Sequence, residues 1–415
     1  MRIGIIGLGY VGLPLALAFC EEGHEVVGVD TDSRVIEALS QSRSHIEDVP
    51  SDRLAGIADR FSVTTRYADL AKVDAAVIAV PTPLTRNREP DLGPLNAAGA
   101  ALAGVLQAGQ LVVLESTTYP GTTRERLVPM LEESGLAAGR DFFVAFSPER
   151  IDPGRTDFTL RTTPKIVGGL SDECLARAVA LYELVCNDVI TVSTPEAAEL
   201  TKLLENVFRS VNIALVNELA ILCDRMGIDI WEVVDAAATK PYGFMSFKPG
   251  PGMGGHCLPV DPFYLAWRAR EFDMATEFIE LAGEVNQKMP YFCVEKIGRA
   301  LNEQTKPIKG SRIAIVGASY KPGVGDLRES PALRIMRLLR EQGGEVVYHD
   351  DFIPELPDFG LASEPLEDAL EGSDCAVIVT AHPGLDVERI VRDAPLVVDF
   401  RGVTRGIEAS NLQRL

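Results

Sequence analysis

The stretch that decides the fold is residues 2–30, which read RIGIIGLGYVGLPLALAFCEEGHEVVGVD. The apolar run from Arg2 to Ile6 predicts a buried strand, and the run Gly7-Leu8-Gly9-Tyr10-Val11-Gly12 predicts a tight turn that opens a helix. In such a turn the first glycine permits the bend, the second lets a pyrophosphate approach the backbone, and the third lets helix and strand pack closely. The phosphates would sit on the helix N-terminus, so Gly7, Gly9, Tyr10, Val11 and Gly12 are candidate cofactor-binding residues.

Asp30 supplies the second half of this dinucleotide pattern. It stands at the end of the second predicted strand, Glu25–Val29, 18 residues after Gly12. A carboxylate at this place accepts hydrogen bonds from both ribose hydroxyls and repels a 2′-phosphate. The pattern therefore predicts NAD as the cofactor, while the neighbouring Arg34 is the feature that would argue for NADP.

The rest of the first 190 residues alternates short apolar runs with helical stretches, which predicts a parallel sheet covered by helices. The further predicted strands are Ala75–Val80, Leu111–Leu114 and Phe142–Ala145. From Pro195 to Met226 the apolar residues recur at three- and four-residue steps, which predicts one long helix that Thr194 caps and Gly227 ends. We expect so long a helix both to bridge domains and to form a subunit interface.

A second α/β unit is predicted near the C-terminus. Residues 239–262 are loop-like, a helical pattern then continues to about Leu301, and Glu303–Lys309 is a polar linker. The predicted elements after the linker are the strands Arg312–Val316, Glu345–His349, Cys375–Val379 and Leu396–Asp399 and the helix Pro331–Gln342. The plan is therefore α/β, then helices, then α/β.

Composition excludes several classes of partner. The 415 residues include 40 Lys and Arg against 60 Asp and Glu, a formal charge of −20, which disfavours nucleic acid and anionic membranes. The seven cysteines are odd in number and lack CxxC spacing, so we expect no disulfide framework, no metal site and a cytoplasmic location. The apolar run Ile3–Cys20 resembles a secretion signal, but its glycines fit the predicted strand and turn better. No other stretch reaches membrane-spanning length without polar interruption.

The stretch Gly254-Gly255-His256-Cys257-Leu258-Pro259-Val260-Asp261 is the second informative motif. The glycines would admit a bulky ligand, and a helix starting near Pro259 would ease thiolate formation at Cys257. A thiol beside NAD indicates that an aldehyde is captured as a thiohemiacetal, oxidised to a thioester and released by water as an acid. This is a four-electron oxidation of a primary alcohol that consumes two NAD. Asp261, four residues on, could share a face with Cys257, and the role of His256 stays open.

Other candidate residues follow strands or share a helix face. Lys202 and Asn206 are four residues apart on the long helix and could hold an oxyanion or a catalytic water, although such a pair is usually a solvated lysine and a surface amide. After predicted strands come Thr82, which would contact the cofactor, and Glu149, which could act as a base toward water. Among the remaining cations, Arg150 could pair with a substrate anion, and a nucleotide diphosphate would fit beside Lys321, which lies in a first βα turn without GxGxxG. Two further cations are Arg328, which precedes a predicted helix, and Arg401, which follows the final predicted strand.

Together these motifs resemble the UDP-glucose/GDP-mannose dehydrogenase family over nearly the whole chain. The resemblance rests on Gly7–Gly12, Ser116-Thr117, Ser147-Pro148-Glu149, Lys202 with Asn206, Gly254–Cys257, and Lys321 with the run Asp326–Ser330. It implies an α/β fold of two Rossmann-like parallel-sheet domains joined by a long central helix and a helical dimerisation domain. The implied domains are NAD-binding (residues 1–193), central helical (194–302) and UDP-binding (310–415).

The resemblance also implies roles for single residues. Cys257 is the expected nucleophile, while Lys202, Asn206 and Asp261 assist the thiohemiacetal and water steps. Glu149 would assist thioester hydrolysis and Thr117 would orient water. The cofactor is expected at Asp30, Thr82, Thr117 and Arg328 besides the glycine turn, and the substrate at Glu149, Arg150, Lys202, Asn206, Gly254, Gly255, Lys321 and Arg401.

Finer resemblance concerns the substrate. Glu115–Thr122 and Pro249–Cys257 are similar to the branch that oxidises UDP-N-acetylhexosamines, and Lys240–Met245 favours UDP-N-acetylglucosamine. The expected product is the uronic acid, for surface polysaccharide. UDP-N-acetylmannosamine or UDP-glucose is the alternative substrate; a two-electron hydroxyacid dehydrogenase and a catalytically silent NAD- and nucleotide-binding scaffold are the alternative functions.

Overall fold

The computed structural model describes residues 1–46, 49–85, 87, 89–151, 157–255 and 258–415. The chain separates into two compact units. The first consists of Met1–Glu205 with Phe263–Ala275, and the second of Asn206–Pro262 with Thr276–Leu415. The three-domain division expected from the sequence stays a prediction.

The first unit is built on an eight-stranded sheet. Its strands, in chain order, are β1 (Arg2–Ile6), β2 (Glu25–Val29), β3 (Phe61–Thr64), β4 (Ala75–Ile78), β5 (Leu111–Leu114), β6 (Phe143–Phe146), β7 (Lys165–Gly169) and β8 (Val189–Val192). The order across the sheet is β3-β2-β1-β4-β5-β6-β7-β8, and every pair is parallel except β6 with β7. This order confirms the predicted α/β class with a parallel sheet.

Helices cover this sheet on both faces. In chain order they are α1 (Gly12–Glu21), α2 (Ser33–Ser40), α3 (Ser51–Gly56), α4 (Gly93–Ala103), α5 (Val128–Glu132) and α6 (Asp172–Tyr182), with a 3₁₀ turn at Tyr67–Lys72 and a π turn at Thr123–Leu127. Successive strand side chains point to opposite faces. In β5, Val113 therefore packs into the core beneath α1 and α6, whereas Val112 and Leu114 pack into the core beneath α4.

The predicted strands are confirmed, with small shifts at their ends. The structure moves the predicted Phe142–Ala145 by one residue and ends the predicted Ala75–Val80 at Ile78. Strands β3, β7 and β8 were not predicted from the sequence. Residues of β3 and β8 are partly exposed, and β7 begins with a lysine and ends with two glycines, so none of them has the continuous apolar run of a buried strand.

The long helix α7 runs from Pro195 to Met226, as predicted. The Thr194 hydroxyl accepts a hydrogen bond from the Ala197 amide at 3.2 Å, and Gly227 ends the helix with a positive φ of 69°. By length and composition alone α7 would qualify as a membrane-spanning helix, and a third of its most apolar 18-residue stretch is buried. It carries seven exposed apolar side chains, Leu200, Leu204, Phe208, Leu215, Leu219, Leu222 and Met226, which we call the α7 stripe.

The second unit holds a five-stranded parallel sheet of order β10-β9-β13-β14-β15. Its helices are α8 (Ile230–Ala238), α9 (Asp261–Ala269, which ends in the first unit), α10 (Glu277–Glu303), α11 (Pro331–Glu341), α12 (Leu366–Leu370) and α13 (Val387–Asp393). Its strands are β9 (Arg312–Val316), β10 (Glu345–His349), the antiparallel pair β11 (Glu355–Leu356) and β12 (Leu361–Ala362), β13 (Cys375–Ile378), β14 (Val397–Asp399) and β15 (Leu412–Arg414). The predicted second α/β unit is thus present, with β15 as an additional edge strand.

Glu199 in the first turns of α7 ties this helix to the segment after β5. Its buried carboxylate accepts hydrogen bonds from the Gly121 amide at 2.6 Å, the Thr123 amide at 2.9 Å and the Thr123 hydroxyl at 2.7 Å. Burial raises the pKa of Glu199 from 4.5 to about 7, although these hydrogen bonds act to lower it. The folded protein therefore holds a proton on Glu199 at pH values where the unfolded chain has lost it.

We expect Glu199→Gln to flatten the pH dependence of stability. Because the folded pKa is raised, the stabilising contribution of Glu199 is complete below about pH 4.5 and is lost as the pH rises through about 7, a change of roughly 3 kcal/mol. Chemical denaturation of both proteins across this range measures the difference. Glu196→Gln is the control, because Arg124 holds the pKa of Glu196 below its usual value against burial. The contribution of Glu196 to stability therefore changes with pH in the opposite direction. Parallel stability curves for Glu199→Gln and the parent chain would contradict this account.

Candidate functional site

The glycine turn between β1 and α1 has the geometry of a dinucleotide-binding turn. Gly7 has a φ of 91°, and a Cβ atom there would lie 2.6 Å from the Ala79 carbonyl oxygen. A Cβ atom on Gly12 would collide with the Gly7 carbonyl oxygen, so only glycine lets α1 start so close to the turn. Gly9 is exposed, and no atom lies within 4 Å of its ideal Cβ position. The open backbone at Gly9 fits the approach of a pyrophosphate.

Tyr10 and Val11 complete this turn. Tyr10 is exposed, and Val11 occupies the N-cap position of α1, where its apolar side chain cannot accept a hydrogen bond from the first-turn amides. A helix N-terminus of this kind favours a phosphate group. The turn therefore fits the predicted cofactor.

Asp30 lies beside the turn, as predicted. Its two carboxylate oxygens accept hydrogen bonds from the Leu8 and Asp32 amides, each at 2.9 Å, which fixes the carboxylate at the end of β2. Arg34, the feature that would suit NADP, donates to Asp32 at 2.7 Å. The carboxylate of Asp30 thus stays beside the glycine turn while the charge of Arg34 is matched by Asp32.

The segments that follow β4 and β5 are joined by hydrogen bonds. The buried Thr82 hydroxyl donates to the Thr117 carbonyl oxygen at 2.7 Å, and the Ser116 hydroxyl donates to the Val80 carbonyl oxygen at 2.7 Å. Tyr264 of α9 also donates to the Thr82 carbonyl oxygen. Two predicted site residues, Thr82 and Thr117, therefore lie side by side at the carboxyl edge of the sheet.

Glu149 is held on both carboxylate oxygens. One oxygen, Oε1, accepts hydrogen bonds from the Arg150 amide at 2.7 Å and the Ile151 amide at 2.6 Å. The other, Oε2, lies 3.2 Å from the Lys165 ammonium nitrogen. Burial acts to raise the pKa of Glu149, but the charge of Lys165, the hydrogen bonds from Ile151 and Lys165, and the charge of Lys202 together hold this pKa below its usual value. Glu149 is thus an oriented, ionised carboxylate.

Lys202 and Asn206 lie on α7, as predicted, and both are buried. Asn206 donates from Nδ2 to Oδ2 of Asp261 at 2.5 Å, where Asp261 begins α9. The amide and the carboxylate expected to work together are therefore in direct contact. Cys257 and His256 lie outside the described residues, and the role expected of Cys257 stays a prediction.

The six other cysteines are free thiols, Cys223 partly buried and the rest buried. Burial raises the pKa of Cys20 to about 12 and that of Cys186 to about 11. Thiols of this kind are poor nucleophiles at neutral pH. Burial therefore leaves the Cys20 and Cys186 thiols inert at neutral pH.

The glycines before Cys257 accommodate a protein side chain. A Cβ atom on Gly254 would lie 2.7 Å from Tyr320, and one on Gly255 would lie 2.8 Å from its ring. Gly255 also has a φ of 97° and donates to the Arg328 carbonyl oxygen at 3.0 Å. These glycines were expected to admit a ligand, whereas in the second unit they admit Tyr320. Their role in substrate binding stays a prediction.

Arg401 and Lys321 follow strands of the second sheet. Arg401 donates from Nε to the Val379 carbonyl oxygen at 2.5 Å, and an ideal Cβ on Gly250 would lie 3.0 Å from its terminal nitrogen. Burial lowers the pKa of Arg401 to about 10, which still leaves the guanidinium charged at neutral pH. Lys321 is partly exposed in the turn after β9. A guanidinium group held in place and an ammonium group suit the binding of a diphosphate.

The two other predicted cations are matched by carboxylates of the protein. Arg150 donates to Glu205 at 2.6 Å and to the Pro164 carbonyl oxygen at 2.7 Å. Arg328 donates to Asp326 at 2.5 Å. Their assignments to substrate and cofactor stay predictions, since each guanidinium already has acceptors within its own unit.

A buried charge cluster around Lys165 was not predicted from the sequence. The Lys165 nitrogen lies 2.9 Å from Oε1 of Glu115, and the Tyr182 hydroxyl donates to the same oxygen at 2.5 Å. The signal that could have revealed this cluster is a lysine in the short apolar run Lys165–Gly169, because a lysine inside a sheet needs buried partners. The first unit thus offers a dinucleotide turn, fixed hydroxyls and an ionised base along one edge.

Comparison with known proteins agrees with this chemistry. Three models of the UDP-glucose/GDP-mannose dehydrogenase family match the chain in order: the NAD binding domain at residues 1–186, the central domain at 196–288 and the UDP binding domain at 314–406. Together these matches cover most of the chain.

Relatives match over nearly the full length. UDP-N-acetyl-D-mannosamine dehydrogenase of Pyrococcus horikoshii is 37% identical, over 98% of this chain and 100% of the relative. UDP-N-acetyl-D-glucosamine 6-dehydrogenase of Pseudomonas aeruginosa is 35% identical, over 94% of this chain and 93% of the relative. A solved structure of UDP-D-ManNAc dehydrogenase from Pyrococcus horikoshii superimposes with a TM-score of 0.91 at 34% identity, covering 100% of this chain and 99% of that one.

We expect Asp30→Ala to weaken NAD binding at least tenfold and to raise the relative use of NADP. The substitution removes the acceptor for the ribose hydroxyls and the charge that repels a 2′-phosphate. Titration with each cofactor and steady-state kinetics measure both effects. Asp74→Ala is the matched control, since Asp74 accepts a hydrogen bond from the Arg2 amide where β1 and β4 begin, at the opposite edge of the sheet. Unchanged NAD affinity in Asp30→Ala would exclude the assigned role.

Proposed function

Because the chain belongs to the UDP-glucose/GDP-mannose dehydrogenase family, we propose that it oxidises the C6 alcohol of a UDP-N-acetylhexosamine to the uronic acid, with UDP-N-acetylglucosamine as the preferred sugar. The chain is an NAD-dependent UDP-sugar dehydrogenase, an oxidoreductase, and not a silent nucleotide-binding scaffold. The proposed setting is the cytoplasm, where the product would feed surface polysaccharide.

Two observations support the choice of an N-acetylated sugar. Relatives that match over nearly their full length are named for N-acetylmannosamine and N-acetylglucosamine. The segments Glu115–Thr122 and Pro249–Cys257 are similar to the same branch. Lys240–Met245 is the segment that favours N-acetylglucosamine over its C2 epimer.

The hydrogen bond between Asn206 and Asp261 carries the proposed mechanism, because it joins two residues expected to serve the same step. NAD, when bound, accepts the hydride in each of the two oxidation steps. After the alcohol has become an aldehyde, the Cys257 thiolate forms a C–S bond to its carbon and the carbonyl oxygen becomes an oxyanion. Lys202 and Asn206 would stabilise that oxyanion and Asp261 would orient the Asn206 amide.

Release of the product requires water. Loss of a second hydride converts the thiohemiacetal into a thioester; water then forms a C–O bond to the acyl carbon, the C–S bond breaks, and the sulfur leaves with the bonding electron pair. Glu149 would take the proton from this water, and Thr117 would orient it. Overall, one alcohol, one water and two NAD⁺ give one carboxylate, two NADH and three protons.

Lys321 and Arg401 are the residues we assign to the nucleotide end of the substrate. Both follow strands of the second sheet, where α/β units bind ligands. The guanidinium of Arg401 is held by the Val379 carbonyl oxygen, so its remaining nitrogens keep a fixed direction. A guanidinium group held in a fixed direction can donate two parallel hydrogen bonds to two phosphate oxygens.

We assign the α7 stripe to a homodimer interface. From Leu200 to Met226 the stripe extends about 39 Å, and single exposed apolar residues on a helix rarely form so long a row unless a partner covers them. A second copy of the chain offers the same row, which a two-fold axis pairs with itself. This interface would also cover the helix that could span a membrane by length and composition alone.

We expect UDP-N-acetylglucosamine to give at least tenfold higher kcat/KM than UDP-N-acetylmannosamine or UDP-glucose. Each acid formed should be accompanied by two NADH, because the oxidation removes four electrons. Product analysis with counted NADH checks both statements. Cys257→Ser is the control for covalent catalysis and should bind NAD normally while forming no acid. A preference for UDP-glucose would overturn the substrate, and one NADH per product would point to a two-electron dehydrogenase.

We expect Leu215→Glu combined with Leu222→Glu to convert the dimer into monomers. Both side chains are at least half exposed in the single chain, so the substitutions disturb an interface and spare the core. Sedimentation equilibrium of the full chain measures the mass. Val403→Glu, which changes an exposed apolar residue outside α7, is the matched control. A dimer that survives the double substitution would exclude the α7 stripe as its interface.

A further inference from the structure

Lys165 is a fully buried cation that the proposed mechanism does not use. It is the first residue of β7, and its side chain is 3% exposed. Its ammonium nitrogen lies between two carboxylates, 2.9 Å from Glu115 and 3.2 Å from Glu149. Burying such a charge is strongly unfavourable unless close partners compensate, so a site that keeps a buried cation has a specific use for it or a specific partner.

The two carboxylates differ in their surroundings. Glu115 accepts hydrogen bonds through Oε1 from Tyr182 and Lys165, while its Oε2 atom is buried and has no hydrogen-bond partner among the described residues. Glu149 has partners on both oxygens, two backbone amides on Oε1 and Lys165 on Oε2. Full use of both oxygens fixes the plane of the Glu149 carboxylate, whereas Glu115 is anchored at one atom.

We propose that Lys165 is a positioning residue for Glu149: its ammonium group holds Oε2 in place and keeps the carboxylate ionised for the hydrolytic step. This inference rests on the proposed function, in which Glu149 takes a proton from water. Glu115 and Tyr182 then serve as the support that holds Lys165 itself.

The pKa directions agree with this geometry. Burial raises the pKa of Glu115. Burial also acts to raise the pKa of Glu149, but the charge of Lys165, together with the hydrogen bonds from Ile151 and Lys165 and the charge of Lys202, holds it below its usual value. Burial acts to lower the pKa of Lys165, but the two carboxylates raise it, so the ammonium group stays charged. Glu149 is therefore the more readily ionised of the two partners.

Other titratable groups also face this cluster. Lys202 of α7 lowers the pKa of Glu149, and the Cys186 thiol, whose pKa burial raises to about 11, is neutral at working pH. The groups to be considered around Glu149 are thus Lys165 from β7, Lys202 from α7, Glu115 after β5, Tyr182 from α6 and Cys186 before β8. Since Lys202 remains when Lys165 is replaced, the loss of Lys165 should shift the ionisation of Glu149 without abolishing it.

The test replaces Lys165 in two ways in the full chain. Lys165→Gln keeps a hydrogen-bond donor but removes the charge. Lys165→Met with Glu115→Gln removes the cation together with its second carboxylate, so that the charge of Glu115 is not left buried without its partner. In single turnovers with UDP-N-acetylglucosamine and NAD, we expect the acid limb of product release to move up by at least one pH unit in both. We also expect intact-protein mass spectrometry to detect an accumulated thioester adduct, and KM for the UDP-sugar to change less than threefold.

Two comparisons separate the outcomes. Lys72→Met, an exposed lysine of the first unit, is the matched control and should leave the pH profile unchanged. Glu149→Gln should accumulate the same adduct; if it releases acid at the normal rate, the proposed role of Glu149 fails and this inference fails with it. If Glu149→Gln stalls but both Lys165 variants keep the parent acid limb and show no adduct, Glu149 is the base and Lys165 does not position it. If one of the two Lys165 variants does not fold, the other Lys165 variant alone is compared with the parent chain.

Discussion

Parallel pairing of β1, β4, β5 and β6 forces the carboxyl ends of these strands onto one edge of the sheet. The glycine turn, Thr82, Thr117 and Glu149 each follow one of these strands, so the pairing alone brings them to a common edge. The reversal of β7 adds the remaining element. Because β7 is antiparallel to β6, it begins where β6 ends, and its first residue is Lys165. A parallel β7 would have presented Gly169 at this edge, and Glu149 would have lacked its cation.

This constraint explains what could be predicted from the sequence and what could not. The glycine turn and Asp30 are local, since their geometry depends on backbone conformation and on one neighbouring strand. Lys202 with Asn206 is local to a helix face. Contacts between residues far apart in the chain cannot be predicted from spacing. No spacing rule relates Lys165 to Glu115, 50 positions earlier, and none shows that Arg150 pairs with Glu205. Gly254 and Gly255 are a further example. Two glycines in sequence indicate that another group approaches the backbone closely, but not that this group is the Tyr320 side chain.

The two α/β units use the same bend for different purposes. Gly317 after β9 has a φ of 87° and donates to the His349 carbonyl oxygen, as Gly7 with a φ of 91° donates to that of Val29. Asp350 after β10 corresponds to Asp30 after β2 and likewise accepts a hydrogen bond from the amide just beyond its glycine. The difference lies in exposure. Asp350 is buried, and His382 contacts its carboxylate at 3.0 Å.

A ribose could not reach a carboxylate enclosed in this way, so the shared bend in the second unit does not imply a second dinucleotide. The hydrogen bonds of Asp350 instead fix the turn after β9, since the same carboxylate accepts from the Ala318 and Ser319 amides. His382 extends this support by accepting at Nδ1 from the Gly323 amide at 3.1 Å. Asp30 and Asp350 thus occupy corresponding positions with different roles. Asp30 would bind a ribose in the first unit, whereas Asp350 shapes the loop that carries Lys321 in the second.

The environment of Glu149 reduces its basicity, because two cations that lower the pKa of a carboxylate also make it a weaker base. The proposed reaction tolerates this loss. A thioester is an activated acyl group, so the water needs a well-placed acceptor more than a strong one, and placement is what the amides of Arg150 and Ile151 supply. Ionisation, in contrast, has no substitute, since a protonated Glu149 cannot accept a proton at all. In a reaction that releases three protons for each acid formed, a carboxylate that stays ionised is worth more than one that binds its proton tightly.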